Sequence, residues 1–192
     1  MLIYPDINPV AISVGPLVVH WYGVMYLIAF MTGGMLGLYR ARKADVDWTS
    51  SQVWDLVFYV AIGAVVGGRL GYVVFYNPGY YFLHPVELLS VWSGGMSFHG
   101  GLLGVIISII IFSKKTKTNF FKFADVVSCV APIGIFLGRI ANFINGELFG
   151  KTSTLPWAII FPNGGSVARH PSQIYESFLE GIILFILINY LA

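Results

Sequence analysis

The sequence predicts an all-α, polytopic integral membrane protein with about five transmembrane helices, one interfacial or re-entrant segment and the N-terminus outside. Three observations lead there. Hydrophobic residues make up 57% of the 192 and charged residues only 10%, with a mean hydropathy of +0.77, whereas soluble domains carry roughly 25% charged residues. Several apolar runs approach or exceed the ~20 residues that a bilayer-crossing helix needs. The basic residues fall in alternate loops, as the positive-inside rule requires.

Residues 17–39, 53–76, 96–112, 124–144 and 172–192 are the expected spans. Residues 79–92 are aromatic and contain Pro85 and Glu87, so they read as an interfacial or re-entrant piece. The runs are too closely spaced for a separate soluble domain, and residues 1–192 are expected to form one transmembrane domain. The first sixteen residues lack the basic start and apolar core of a cleavable signal peptide. Neither an internal repeat nor a low-complexity tract is visible.

Seven of the eleven Lys and Arg residues occupy two loops: Arg40, Arg42 and Lys43 after the first span, and Lys114, Lys115, Lys117 and Lys122 between the third and fourth. Both loops are therefore expected in the cytoplasm. The net charge of +2 gives no reason to expect nucleic acid as a partner. The single cysteine, Cys129, excludes an internal disulfide and sits mid-helix as a structural thiol.

This topology gathers polar residues at one depth. Arg69 lies in the outer third of the second span and His99 at the outer mouth of the third. Arg139 lies about 8 Å of helical rise before the fourth apolar run stops. His20 and Tyr22 open the first span, Glu147 follows the fourth, and Arg169, His170, Gln173 and Glu176 lead into the last. Ionisable groups inside a membrane are costly and mark candidate functional sites. Glycines 67, 68, 71, 100, 101 and 104 flank Arg69 and His99, leaving room either for close helix packing or for a bulky ligand. Arg139, Asn142 and Gly146 share one helical face by spacing, and a guanidinium beside a carboxamide suits a phosphate.

Each residue has a plainer alternative. Arg69 can pair with Glu176 or Glu180, and His99 can be a satisfied polar residue at a helix start. His20 and Trp21 fit an interfacial belt. Asp55 and Asp125 fit capping or solvated positions, and Lys114–Lys117 fit a topogenic signal or a contact with anionic lipid. Arg139 is hardest to explain this way, because no acidic residue lies within one helical turn of it before Glu147.

The segments GRIANFINGELFG (138–150), WSGGMSFHGG (92–101), HWYG (20–23) and RHPSQIYE (169–176) together resemble the phosphatidylglycerol–prolipoprotein diacylglyceryl transferase family, from the first span to Gly181. The resemblance implies a multi-pass enzyme of the bacterial inner membrane, with its active site toward the outer leaflet. Its expected partners are phosphatidylglycerol, preprolipoprotein signal peptides bearing a lipobox cysteine, and membrane lipids. The implied reaction moves the diacylglyceryl group onto that cysteine, giving a thioether and glycerol 1-phosphate. It also implies that Arg139 binds the headgroup and that His99 and Arg139 belong to the catalytic set. Tyr22, Asn142, Glu147 and Gly150 match further positions of functional weight, and Arg69 is a further candidate for substrate binding. The thiol must approach thiolate character before attack, and His99 is placed to take its proton. Negative charge on the departing phosphate suits Arg139. No cofactor or metal is expected, since the outer face shows no His/Asp cluster with ligand spacing.

The same resemblance implies a further membrane segment with a Tyr-Gly-x-x-Arg element, which does not occur before Tyr190-Leu191-Ala192. A C-terminally truncated chain with much reduced transferase activity is therefore expected, and an inactive phospholipid-binding protein is the alternative. A CDP-alcohol phosphatidyltransferase is disfavoured because Asp45, Asp47, Asp55 and Asp125 are not packed for divalent metal. A transporter is disfavoured because its site belongs near the midplane.

Overall fold

The computed structural model describes residues 1–15, 17–43, 48–91 and 94–191. Asp45 and Asp47, and Trp92 and Ser93 of the WSGGMSFHGG segment, lie outside the described residues. Five helices have the length and apolarity to cross a membrane: α1 (Trp21–Lys43), α2 (Ser50–Tyr76), α4 (Phe98–Thr116), α5 (Phe120–Ile144) and α6 (Ser172–Leu191). The chain is thus a polytopic helical membrane protein. Between α2 and α4 lie α3 (Pro78–Leu83) and a 3-10 turn, Pro85–Leu89, both too short to span.

Small β elements depart from the purely helical expectation. Strands β2 (Val10–Val14) and β3 (Leu17–His20) form an antiparallel hairpin. The first helix therefore starts at Trp21, not at residue 17. Its apolar lead-in is rich in β-branched valine, and Gly15 at φ +59° opens the turn, so hairpin chemistry wins locally. The Trp21 amide donates to the Pro9 carbonyl (3.0 Å), tying the helix start to the hairpin. Strand β1 (Leu2–Ile3) pairs in parallel with β4 (Ile159–Ile160).

Backbone contacts divide the chain into two compact units, Met1–Gly37 with Val127–Ala192, and Leu38–Val126. In the second unit, α2 opens on a capping box: the Thr49 hydroxyl accepts from the Gln52 amide, and the Gln52 side chain accepts from the Thr49 amide. Asp55 is exposed and takes no part in that cap. Helices α2 and α4 meet backbone to backbone. A Cβ on Gly71 would lie 2.7 Å from the Gly100 Cα, and Gly67 and Gly104 are equally tight, so this stripe serves close packing. Below it, Phe112 packs against Tyr59 and Phe123, and Trp48 stacks on Phe123.

In the first unit, Pro132 withdraws one N–H from the α5 ladder. In that turn the Cys129 carbonyl accepts from Asn189 Nδ2 on α6 (3.0 Å). Cys129 itself is buried. Helix α6 widens to π geometry over Ser177–Ile183, and a Cβ on Gly181 would lie 2.7 Å from the Phe136 Cβ. Tyr4, Ile159 and Phe161 form a small core with Ile7, Phe143 and Phe149 packed on it.

Candidate active site

The sequence 141–148 stops α5 abruptly. The amides of Asn145, Gly146 and Glu147 turn back to the carbonyls of Ala141, Phe143 and Asn142 at 2.9, 2.9 and 3.1 Å. Gly146 (φ +62°) and Leu148 (φ +56°) are left-handed, and Tyr4 Oη donates to the carbonyls of Phe143 and Ile144 at the helix end, both at 2.8 Å. Gly146 therefore lies beyond the helix and does not share the face of Arg139 and Asn142, because the Asn-Gly turn breaks the helical spacing.

That turn folds Glu147 back over the helix end. Asn142, 4% exposed, donates through Nδ2 to Glu147 Oε1 (2.9 Å), and Asn145 Nδ2 donates to the same oxygen (3.3 Å). The Glu147 carbonyl accepts from Gln173 Nε2 on α6 (2.6 Å). Among the described residues, Asn145 Oδ1 and Gln173 Oε1 are buried acceptors with no donor.

Arg139 projects from α5 one turn before Asn142. Its Nε lies 2.7 Å from Glu176 Oε2, and the two side chains are 31% and 34% exposed. Glu176 is the residue before the π-widened turn, and its pairing with Arg139 is what sequence reasoning missed. Sequence reasoning offered it to Arg69, and the structure corrects that assignment by giving it to Arg139. The signal lay in RHPSQIYE, but the partners are too far apart in sequence for helical spacing to reveal them. Tyr22 stacks at a tilt on Tyr26 within α1 (centroids 5.2 Å). The structure thus joins Arg139 on α5 to Glu176 on α6.

Gly150 begins a short ladder next to this group. Its amide donates to the His170 carbonyl (2.9 Å), and the His170 amide donates to the Lys151 carbonyl (3.0 Å). A Cβ at Gly150 would sit 3.0 Å from the His170 Cβ and 3.2 Å from its carbonyl oxygen. His170 Nδ1 lies 3.3 Å from Tyr175 Oη, which accepts from Trp157 Nε1 (2.7 Å). Arg169 Nε donates to the Gly164 carbonyl (3.1 Å), and its guanidinium lies over Phe149.

The second unit carries the other two candidates. His99 is exposed in the first turn of α4, where Ser97 caps by accepting from the Gly100 amide (3.2 Å). Phe98 meets the His99 ring edge-on at 5.6 Å. Arg69 does not match the expectation of a lipid-binding arginine. It is 4% exposed, and its guanidinium donates to the carbonyls of Glu87 (2.7 Å), Leu88 (3.1 Å), Gly94 (2.6 Å) and Gly95 (3.3 Å). Its donors are directed at backbone of its own unit, because a guanidinium buried without a carboxylate needs carbonyls to satisfy it. Among the described residues, no group of three His, Cys, Asp or Glu side chains could hold a metal ion.

The described geometry is accompanied by close sequence relatives. The family model for prolipoprotein diacylglyceryl transferase matches residues 9–192. A phosphatidylglycerol–prolipoprotein diacylglyceryl transferase of Coxiella burnetii (strain RSA 331 / Henzerling II) is 53% identical over 188 residues, covering 98% of this chain and 72% of the relative. The protein of the same name in Pseudomonas aeruginosa (strain UCBPP-PA14) is 52% identical, covering 98% of this chain and 71% of its own length.

Proposed function

This chain belongs to the prolipoprotein diacylglyceryl transferase family, and from that premise we propose how its residues divide the work of the reaction. The enzyme transfers the diacylglyceryl group of phosphatidylglycerol to the lipobox cysteine of a prolipoprotein. It is a multi-pass protein of the bacterial inner membrane. The sulfur of the substrate cysteine bonds to the glyceryl C3 carbon as the bond from C3 to the phosphate ester oxygen breaks. The thiol proton goes to a base, and glycerol 1-phosphate leaves with the bonding electrons.

Arg139 holds the phosphate. The observation that carries this reading is the geometry of its guanidinium. Glu176 engages Nε, so the terminal amino groups remain available for a bidentate grip on phosphate oxygens. The partial exposure of both side chains lets a headgroup reach them, while the apolar helix around them keeps local screening low. As the C–O bond breaks, charge grows on that phosphate, and a guanidinium already oriented by Glu176 stabilises it without reorganising.

Asn142 and Glu147 hold the wall beside Arg139. Their hydrogen bond closes the end of α5, and the Gln173 link carries the same loop onto α6. Tyr22, stacked on Tyr26 in the first turns of α1, contributes to headgroup binding. Gly150 allows the ladder to approach His170 closely. His99, exposed and lacking a side-chain hydrogen bond among the described residues, accepts the thiol proton.

The site opens toward the outer leaflet. Support comes from the basic residues: Arg40, Arg42 and Lys43 in the last turn of α1, and Lys114 and Lys115 in the last turn of α4, belong on the cytoplasmic side. Helix α5 follows the second group and carries Arg139 toward its opposite end.

The test is thioether formation on a lipobox peptide by the purified chain in phosphatidylglycerol-containing bilayers. Turnover that Arg139→Lys reduces supports the reading. Turnover that is indifferent to Arg139 contradicts it.

A further inference from the structure

We infer that Arg69 is a positioning residue for the transfer: its buried guanidinium clamps the connection between α3 and α4 and thereby fixes where His99 stands. This rests on the reading of His99 as proton acceptor.

A charged side chain 4% exposed within a membrane-spanning helix is an expensive way to fill space. An aliphatic residue would fill the volume without desolvating a charge. What an aliphatic residue cannot do is join two separate stretches of backbone. The Arg69 Nε and one terminal amino group take the carbonyls of Leu88 and Glu87, and the other amino group takes those of Gly94 and Gly95. The first pair belongs to the end of the 3-10 turn, where the Glu87 carbonyl also accepts from the Ser90 amide (3.1 Å) and the local dipole favours a cation. The second pair belongs to two glycines in left-handed conformation, φ +83° and +75°. The Tyr81 ring lies 5.1 Å from the guanidinium carbon, adding cation–π stabilisation.

The clamp ends at Gly95, three residues before α4 begins. The Ser97 amide donates to the carbonyl of Gly68, the neighbour of Arg69 (2.8 Å). Ser97 then caps α4 through the Gly100 amide, and Gly71 presses on the Gly100 Cα. Residues 68–71 of α2 thus fix backbone on both sides of His99. Among the described residues, the His99 ring has Phe98 as its ring partner and no side-chain hydrogen bond. Its position is therefore inherited from the backbone that Arg69 and its neighbours hold. Proton transfer from a thiol is sensitive to such placement, since a misplacement of about 1 Å can cost about 10²-fold.

Arg69→Lys tests the clamp. Lysine keeps the charge but, as a point charge on a flexible stem, cannot satisfy both carbonyl pairs. Gly95→Ala is an independent variant: its left-handed φ and the Tyr72 ring, 2.5 Å from an added Cβ, displace the clamped carbonyl while leaving Arg69 intact. Both are assayed on the full chain in phosphatidylglycerol-containing nanodiscs, with folded protein quantified by thermal melting. In each, kcat for thioether formation is expected to fall about tenfold or more. KM for phosphatidylglycerol is expected to stay within about twofold of the parent.

Unchanged kcat in both variants overturns the inference. So does a raised KM with preserved kcat in Arg69→Lys, which would return the guanidinium to the lipid. A loss explained wholly by unfolded protein in both variants also overturns it. His99→Gln, assayed in parallel, separates the two levels of the reading. Full kcat there overturns the His99 reading and this inference together, whereas loss there with unaffected Arg69 and Gly95 variants overturns only the positioning role.

Discussion

Glu176 Oε2 sits 2.7 Å from Arg139 Nε, joining α5 to α6 by an ion pair in which both side chains keep about a third of their exposure. A pair this exposed contributes little to stability, about 0–1 kcal/mol. Its consequence is orientation. A carboxylate on Nε fixes the guanidinium plane and leaves its outer edge for a second anion.

Glu176→Gln and Glu176→Ala separate orientation from charge. The amide oxygen of glutamine still accepts from Nε, so Glu176→Gln is expected to keep kcat within about threefold of the parent, whereas Glu176→Ala loses about tenfold. Steady-state kinetics on a lipobox peptide read the difference. Equal losses in the two variants would show that the charge, and not the hydrogen bond, matters.

His99→Gln is expected to leave the melting temperature nearly unchanged, because substitutions at exposed positions without partners usually fall within about 0.5 kcal/mol. Transfer is expected to drop by about 10²- to 10⁴-fold, the usual contribution of a general base. Thermal melting and single-turnover thioether formation on the same preparation check the contrast. A large melting shift would place His99 in the fold instead of the chemistry.

Tyr4 seals the end of α5 with one hydroxyl shared between two carbonyls. Tyr4→Phe is expected to cost about 1 kcal/mol of stability. Burial, followed by the charge of Asp6, raises the Tyr4 pKa above 10.0. The folded state therefore favours the neutral phenol. That contribution is complete below the unfolded pKa and is lost as pH rises from about 10 through the folded value. The parent is expected to lose stability across that alkaline window more steeply than Tyr4→Phe, as measured by chemical unfolding at stepped pH. Parallel curves would contradict the assignment.

Gly150→Ala inserts a methyl 3.0 Å from the His170 Cβ, tighter than ordinary van der Waals contact. The ladder between residues 150 and 170 must shift, at an expected cost of about 1–3 kcal/mol. Amide hydrogen exchange localised to residues 150–170 reads it. Unaltered protection there would mean that the ladder yields freely.

The spans were legible because a bilayer imposes one dominant requirement, a long apolar run with few charges, and residues 53–76 and 124–144 meet it without tertiary help. Residues 17–20 were misassigned for the same reason: apolar β-branched residues before a helix extend its hydropathy signal, although the Gly15 turn makes them a strand. The Asn145-Gly146 turn was present in the sequence, but helical spacing was carried through it to Gly146. Arg139 stood out by its cost. Its partner did not, because Glu176 belongs to another helix, and pairing across helices is decided by packing. The Arg69 cradle was invisible because its acceptors are backbone carbonyls, which carry no residue identity. The structure brings Arg139, Asn142, Glu147 and Glu176 into one group within a single unit, and sequence depth alone could not have chosen those four.

The proposed grip of Arg139 on the phosphate of phosphatidylglycerol can be measured directly. The direct measurement is the rate of thioether formation on a lipobox peptide by Arg139→Lys beside the parent chain, at saturating and limiting phosphatidylglycerol. Lysine keeps the charge and loses the fork. For Arg139→Lys, kcat/KM is expected to fall about 10²-fold or more, with kcat itself reduced because the grip tightens as the leaving phosphate gains charge. A variant with parental kcat/KM would contradict it.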